Sequence, residues 1–329
     1  MQYRHLGHSD LRVSILGLGA SGLGTRTDLF ESHRILDRAR DAGITLIDTA
    51  NVYGKGASEL AIGTWLPQHR SEVIIASKAG LPVGRGAQDR GASRSHLTRE
   101  LEGSLRRLRT DYIDLYQVHI FDPWTPLEET LETLQDFVQV GKVRYVGASN
   151  YRAWELMTAL GISERRHLVS FVSHQGSYSL ADRTPEREMV PLLRNQGLSL
   201  IAYFPLGSGL LTGKYRPGEP APPGSRGERA TGIFPYQDPS LLALAATVEA
   251  VADEIHARPA HVALAWLWHH DVVASTIAGA RLAEQLQENL AALTITLPED
   301  ARRRLDAASA RFAHAEPLGE YRLDDRKDG

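Results

Sequence analysis

The sequence predicts an α/β fold, a (β/α)8 (TIM) barrel with an N-terminal β-hairpin and extra C-terminal helices, on three observations. Short apolar, β-branched runs alternate with longer amphipathic stretches, the pattern of parallel strands joined by crossover helices. The strand candidates after the hairpin number eight. Ionisable residues close three consecutive candidates, and a parallel barrel gathers all its C-terminal strand ends on one rim.

In chain order, residues 3–6 and 11–13 read as a hairpin around the Gly7-His8-Ser9-Asp10 turn. Barrel strands are predicted over residues 15–18, 45–48, 73–77, 113–119, 143–149, 169–175, 199–203 and 274–278, as short apolar, β-branched runs. Helices fill the gaps, most clearly over 31–42, 58–66, 95–107, 126–140, 185–195, 240–257, 259–270 and 281–292, with a last helix over 298–313. Pro126, Pro185, Pro259 and Pro298 suit a first helical turn, whose amides have no intrahelical acceptor. Residues 213–238 hold Pro217, Gly218, Pro220, Pro222, Pro223, Gly224 and Gly227, which forbid a regular element. A loop of that length after the seventh strand predicts a lid or binding loop on the functional face. The polar stretch 316–329 reads as a frayed terminus.

Composition narrows the function. A chain of 329 residues with 42% hydrophobic content can bury one large core, so a single domain over residues 1–329 is expected. Lys and Arg total 37 against 40 Asp and Glu, leaving no positive excess for nucleic acid or an acidic membrane. A small-molecule partner is expected instead. The absence of cysteine excludes disulfides, thiolate metal sites and cysteine nucleophiles. No metal site is expected: His269 and His270 are adjacent and do not converge on one ion, and His174 reads as a core residue. The start of the chain lacks a secretory apolar region, and no window reaches the roughly 18 apolar residues of a spanning helix, so a cytoplasmic protein is expected.

Asp48 closes one strand, Lys78 follows the next and His119 closes the third, with Tyr53 in the loop after Asp48. The four suit reduction of a carbonyl, in which hydride reaches carbon while oxygen needs a proton. A phenol is a weak acid near neutral pH, but a neighbouring ammonium stabilises the phenolate and makes it a competent donor. Asp48 would hold Lys78 charged, and a neutral His119 would polarise and orient the carbonyl. Gly17-Leu18-Gly19-Ala20-Ser21-Gly22 spells a dinucleotide fingerprint, but the helical pattern starts too late and Asp48 lies beyond the usual spacing of about 20 residues. These glycines read as the first barrel strand and its loop.

At these residues the sequence resembles the aldo-keto reductase family over nearly its whole length. Asp48-Thr49-Ala50-Asn51-Val52-Tyr53-Gly54 with Ser58-Glu59, Ile75-Ala76-Ser77-Lys78, and Asp114-Leu115-Tyr116-Gln117-Val118-His119 are similar to its Asp/Tyr, Lys and His motifs. The resemblance implies the catalytic set Asp48, Tyr53, Lys78 and His119. It also implies a nicotinamide cofactor, NADPH ahead of NADH, held by Gly19, Ala20, Asp48, Ser149, Asn150, Gln175, Tyr203, Phe204, Leu206, Ser208, Gly279, Arg281, Gln285, Glu288 and Asn289. Among these, Ser149, Asn150 and Gln175 would grip the carboxamide, Tyr203 would stack on nicotinamide, and Arg281 would meet the 2′-phosphate. Phe204 stands where many relatives have Ser, removing a hydroxyl, and Gly279 where a subset has Lys, removing a cation.

The expected substrate is an aldehyde or ketone, contacted by Tyr53, His119, Phe121 and Trp124. Ile120, Ile233, Phe234 and Tyr236 extend the apolar wall. The alternative is a cofactor-sensing subunit resembling the potassium-channel β subunits, which share the barrel and the four residues. A homo-oligomer is compatible with either reading.

Overall fold

The computed structural model describes residues 1–228, 235–315 and 323 of the chain. Tyr3–His5 (β1) and Arg12–Ser14 (β2) pair antiparallel, giving the expected hairpin. The barrel strands are Leu16–Gly19 (β3), Leu46–Asp48 (β4), Ile74–Ala79 (β5), Ile113–Val118 (β6), Val143–Ser149 (β7), Ser173–Ser177 (β8), Ser199–Tyr203 (β9) and Val273–Ala278 (β10). They close in the order β10-β3-β4-β5-β6-β7-β8-β9, and every neighbouring pair is parallel. Every strand therefore ends on the same rim.

The helices are Leu29–Asp41 (α1), Ala57–Trp65 (α2), Arg94–Leu108 (α3), Leu127–Gln139 (α4), Ala153–Arg166 (α5), Met189–Asn195 (α6), Pro239–Glu254 (α7), Pro259–Trp268 (α8), Ala283–Ala291 (α9) and Glu299–Ser309 (α10). Side chains start several of them. Asp28 accepts from the amide of Glu31, and Asp238 accepts from the amides of Ser240 and Leu241. Pro259 opens α8 as expected, whereas Pro126 and Pro298 sit one residue earlier, as extended caps of α4 and α10. No helix among the described residues is long and apolar enough to cross a membrane.

Most boundaries shift by one to four residues from the sequence reading, and three of the shifts have a visible cause. The sixth strand starts at Ser173 rather than 169 because the preceding residues are spent on ending α5: the Leu168 amide donates to Ser163, and the Val169 carbonyl accepts from the Ser163 hydroxyl. The helix expected over 185–195 divides into a 3-10 turn at Thr184–Glu186 and the shorter α6, since Glu188 leaves helical geometry. The helix expected from 281 begins at Ala283, with Leu282 extended before it and the Glu31 carboxylate accepting the Ala283 amide. In the expected long loop, 214–228 and 235–238 hold no helix or strand, while Ile233, Phe234 and the residues 316–329 other than 323 lie outside the described residues.

Two apolar layers hold the fold. Outward strand residues such as Leu18, Ile47, Ile75 and Val118 pack on the helices through Ile35, Leu36, Ile62 and Leu97. Inside the barrel, Leu46, Ala76, Leu115, Ile201, Ala274 and Ile277 form a separate cluster, closed by Leu6, Leu11 and Val13 of the hairpin. The hairpin is therefore the floor of the barrel. Arg4 pins it there, donating to the carbonyls of Trp268, His270 and Val273.

Leu6 is fully buried in that floor. Leu6→Ala is expected to lower stability by about 2–5 kcal/mol. The check is a denaturant titration, with the midpoint lowered and the slope unchanged.

Candidate active site

Barrel register builds the site. Asp48 pairs with Gly19 at the end of β4, Lys78 of β5 stands level with Gln117 of β6, and Gln175 of β8 is level with Ser149 of β7. Their side chains meet in the barrel mouth. The Lys78 ammonium donates to Asp48 Oδ2 at 2.7 Å, to the Thr49 carbonyl at 2.9 Å and to the Tyr53 hydroxyl at 3.4 Å. Asp48 Oδ1 accepts from Gln175 at 2.7 Å and, more weakly, from Gln117 at 3.5 Å. Lys78 has no solvent exposure. Burial works to discharge it, but the Asp48 carboxylate and then Tyr53 outweigh burial and hold its pKa above the ordinary lysine value.

Tyr53 reaches the ammonium from a tightly turned loop. Gly54, Lys55 and Gly56 all have left-handed backbone, with φ of 59°, 55° and 91°, so the chain reverses immediately after the phenol. A Cβ at Gly54 would lie 2.2 Å from Thr25 Cγ2, so glycine is required there on two counts. The loop is braced from behind. The Asn51 amide donates to the Lys78 carbonyl, its side chain donates to Glu100 at 2.9 Å, and the Ser58 hydroxyl donates to the Ala20 carbonyl.

His119 stands edge-on to Tyr53, with ring centroids 5.9 Å apart. Burial, and secondarily the Lys78 charge, hold its pKa well below the usual imidazole range. The ring is therefore neutral at neutral pH, and its Nδ1 is buried without a hydrogen-bond partner. The four expected catalytic side chains thus share one mouth.

A second arc of expected residues continues around the rim. Asn150, with φ of 58°, donates to the His119 carbonyl at 2.9 Å and to the Ser149 hydroxyl at 3.1 Å, while the Tyr203 hydroxyl donates to Asn150 Oδ1 at 2.7 Å. Phe204, Gly207, Ser208 and Gly209 all have positive φ, which folds the chain after β9 into a compact turn over Leu206. Gly19 and Gly279 face each other closely, and a Cβ on Gly279 would lie 3.3 Å from the Gly19 carbonyl.

The charges near this arc suit a phosphate. Arg226 of the long loop is held below the ordinary guanidinium pKa by the protein packed around it and then by the like charges of Arg26 and Arg281. None of the three has an ion-pair partner among the described residues. Thr27 ties the loop of Arg26 to the Arg281 carbonyl at 3.4 Å. Three uncompensated cations from separate loops match the donor set that a dinucleotide phosphate requires.

The remaining expected residues are more dispersed. Ala20 is committed to the frame, its amide donating to the Asp48 carbonyl. Gln285 accepts from the Arg281 amide at 2.9 Å, while the Glu288 carboxylate pairs with Arg258 at the N-cap of α8, and Asn289 follows it on α9. Phe121 packs edge-on to Tyr151 and Trp154, and Trp124 lies under Arg90. Arg26, Arg226 and the role of Gln117 escape the sequence reading. Gln117 carries a signal, being polar at the inward position between Leu115 and His119. Arginines in irregular loops carry none. Among the described residues, no group of three or more His, Asp or Glu could hold a metal ion.

Residues 15–310 match the sequence profile of the Aldo/keto reductase family. The chain is 38% identical to "Uncharacterized oxidoreductase YrpG" of Bacillus subtilis (strain 168), covering 93% of this chain and 95% of that one. It is 38% identical to "L-glyceraldehyde 3-phosphate reductase" of Escherichia coli (strain K12), covering 89% and 88%. It is 34% identical to "Probable voltage-gated potassium channel subunit beta" of Arabidopsis thaliana, covering 90% and 92%.

The arginine cluster is testable without turnover. Millimolar pyrophosphate is expected to raise the thermal midpoint, since a ligand of the folded state alone stabilises it by mass action. In Arg226→Ala that shift should fall by half or more in a thermal-shift titration. An undiminished shift would place the anion elsewhere.

Proposed function

The chain belongs to the aldo/keto reductase family, and on that footing we propose that it reduces an aldehyde or ketone to the alcohol with NADPH, Tyr53 donating the proton. The observation that carries this reading is the continuous line from Asp48 through the Lys78 ammonium to the Tyr53 hydroxyl, beside a neutral His119. A bound reduced nicotinamide supplies the hydride for the carbonyl carbon.

The residues of the chain supply the rest. The Tyr53 hydroxyl passes its proton to the carbonyl oxygen, and the adjacent ammonium stabilises the phenolate left behind. Asp48 offsets the cost of keeping that ammonium charged away from water. His119, uncharged, hydrogen-bonds the carbonyl oxygen without competing as an acid and fixes the face presented for reduction. Ser149, Asn150, Gln175 and Tyr203 hold the nicotinamide end in this reading. The Gln175 side-chain nitrogen already donates to Asp48, so this residue links the cofactor grip to the catalytic carboxylate. Arg26, Arg226 and Arg281 favour NADPH over NADH through the extra phosphate, compensating for the lysine that Gly279 replaces.

A second reading, a cofactor-binding subunit with little turnover, is favoured by the similarity to the plant protein named as a potassium channel subunit. Turnover separates the two. Following absorbance of NADPH and NADH across aldehydes and ketones is expected to show carbonyl-dependent oxidation, faster with NADPH. Tight NADPH binding with no oxidation by any of them would select the subunit reading.

Tyr53→Phe should lower kcat by 100-fold or more while NADPH affinity, read by fluorescence quenching, changes less than about threefold, since general acid catalysis contributes about 10²–10⁴-fold. The pH profile follows from two shifts of opposite sign. His119 is lowered and so neutral through pH 6–8, and Lys78 is raised and so charged there. The profile of kcat/KM should therefore lack an acid limb near the ordinary imidazole value of about 6.5 and fall only at alkaline pH. An acid limb there would show that His119 titrates.

A further inference from the structure

The mouth carries a cation that the proposed chemistry does not use. Arg90 lies in the loop between β5 and α3, with its guanidinium 5.5 Å from the centre of the Trp124 ring in the loop after β6. Three of the arginines that follow it on α3 are paired: Arg94 with Asp136, Arg99 with Asp89 and Glu100, and Arg107 with Glu59. Arg90 has no ion-pair partner among the described residues.

The position of this pair is fixed relative to the catalytic groups. Asp122 is buried and accepts from the Ala92 amide at 2.7 Å, the Trp124 amide at 3.0 Å and the Thr125 hydroxyl at 2.6 Å, so one carboxylate rivets the two loops together. Next to Arg90, the Gly91 amide donates to the carbonyl of Gly80, two residues past Lys78. A Cβ at Gly91 would lie 2.4 Å from Asp122 Oδ2, so the close approach needs glycine. Gly80 in turn packs on the backbone amides of His119 and Ile120. Arg90 and Trp124 therefore stand on the same rim as the imidazole, on a braced frame.

A guanidinium held over an indole with no carboxylate paired to it is a recognition element for an oxyanion: the ring attracts the cation, and its N–H donors stay available. We propose that Arg90, held over Trp124, binds a carboxylate or phosphate on the carbonyl substrate, so that the preferred substrates are aldehydes bearing an anionic tail. This rests on the reductase reading above. It adds a substrate class to that reading.

The test compares kcat/KM for 4-carboxybenzaldehyde and glycolaldehyde phosphate with that for uncharged 4-nitrobenzaldehyde, in the wild type, Arg90→Ala and Arg90→Lys. Relative to the neutral aldehyde, Arg90→Ala should lower kcat/KM for the anionic substrates by about 10- to 100-fold, the scale of one charge-assisted hydrogen bond, and mainly through KM. Arg90→Lys should recover part of the loss, because it keeps the charge and loses the fork. A loss confined to the carboxylate or to the phosphate would name which oxyanion the site takes. Equal losses for charged and neutral aldehydes, or none, would overturn the proposal while leaving the reductase reading intact. If no aldehyde is reduced, the reductase reading fails, and quenching of tryptophan fluorescence by 4-carboxybenzaldehyde still decides the site. Wild-type binding that Arg90→Ala weakens tenfold would support it, and unchanged binding would refute it.

Discussion

A lysine ammonium with no access to water is the constraint around which the barrel mouth is arranged. It has three N–H groups and three acceptors: the Asp48 carboxylate, the Thr49 carbonyl and the Tyr53 hydroxyl. The carboxylate is satisfied on its other oxygen by two side-chain amides from β6 and β8. Such a pair tolerates little disturbance, because removing one partner leaves a buried charge uncompensated, at a typical cost of about 3–5 kcal/mol. Strand register, loop turns and the bracing of Asn51 and Ser58 all serve to keep these few atoms in contact. The same charge adds to burial in keeping His119 neutral.

The periphery of the mouth is organised on the opposite principle. There, positive charges stand without carboxylates: Arg26, Arg226 and Arg281 around the turn after β9, and Arg90 on its indole across the rim. Inside the mouth charge is compensated by the protein, whereas around it charge is left for something else to compensate. Self-repulsion among like charges is unfavourable in the protein alone and is relieved when an anion arrives.

The sequence made the barrel and its chemistry legible to different depths. Strand runs such as Val143–Ser149 and Ser199–Tyr203 are read to the residue, because a glycine in left-handed backbone, Gly141 or Gly197, ends the preceding helix just before each. The start of β8 is displaced because Leu168 and Val169 look like strand but are used to end a helix, and tertiary hydrogen bonding is invisible to local pattern. Asp48, Lys78 and His119 stand out as ionisable residues at strand ends, where alternation and topology fix their direction. Gln117 could have been found by the same logic, since it occupies an inward position two residues before His119. Arg26, Arg90 and Arg226 could not, because irregular loops have no period and a side chain there is placed only by what the whole fold brings beside it.

The hairpin at the start of the chain has a consequence for traffic. With Leu6, Leu11 and Val13 closing the barrel from below on an interior already filled by Leu46, Leu115, Ile201 and Ile277, only the opposite rim is left to receive a ligand. Whatever settles in that mouth must depart by the side it entered. A bulky tenant lodged along the rim and a small one seated over the phenol would share that side, so each has to leave the other a way past.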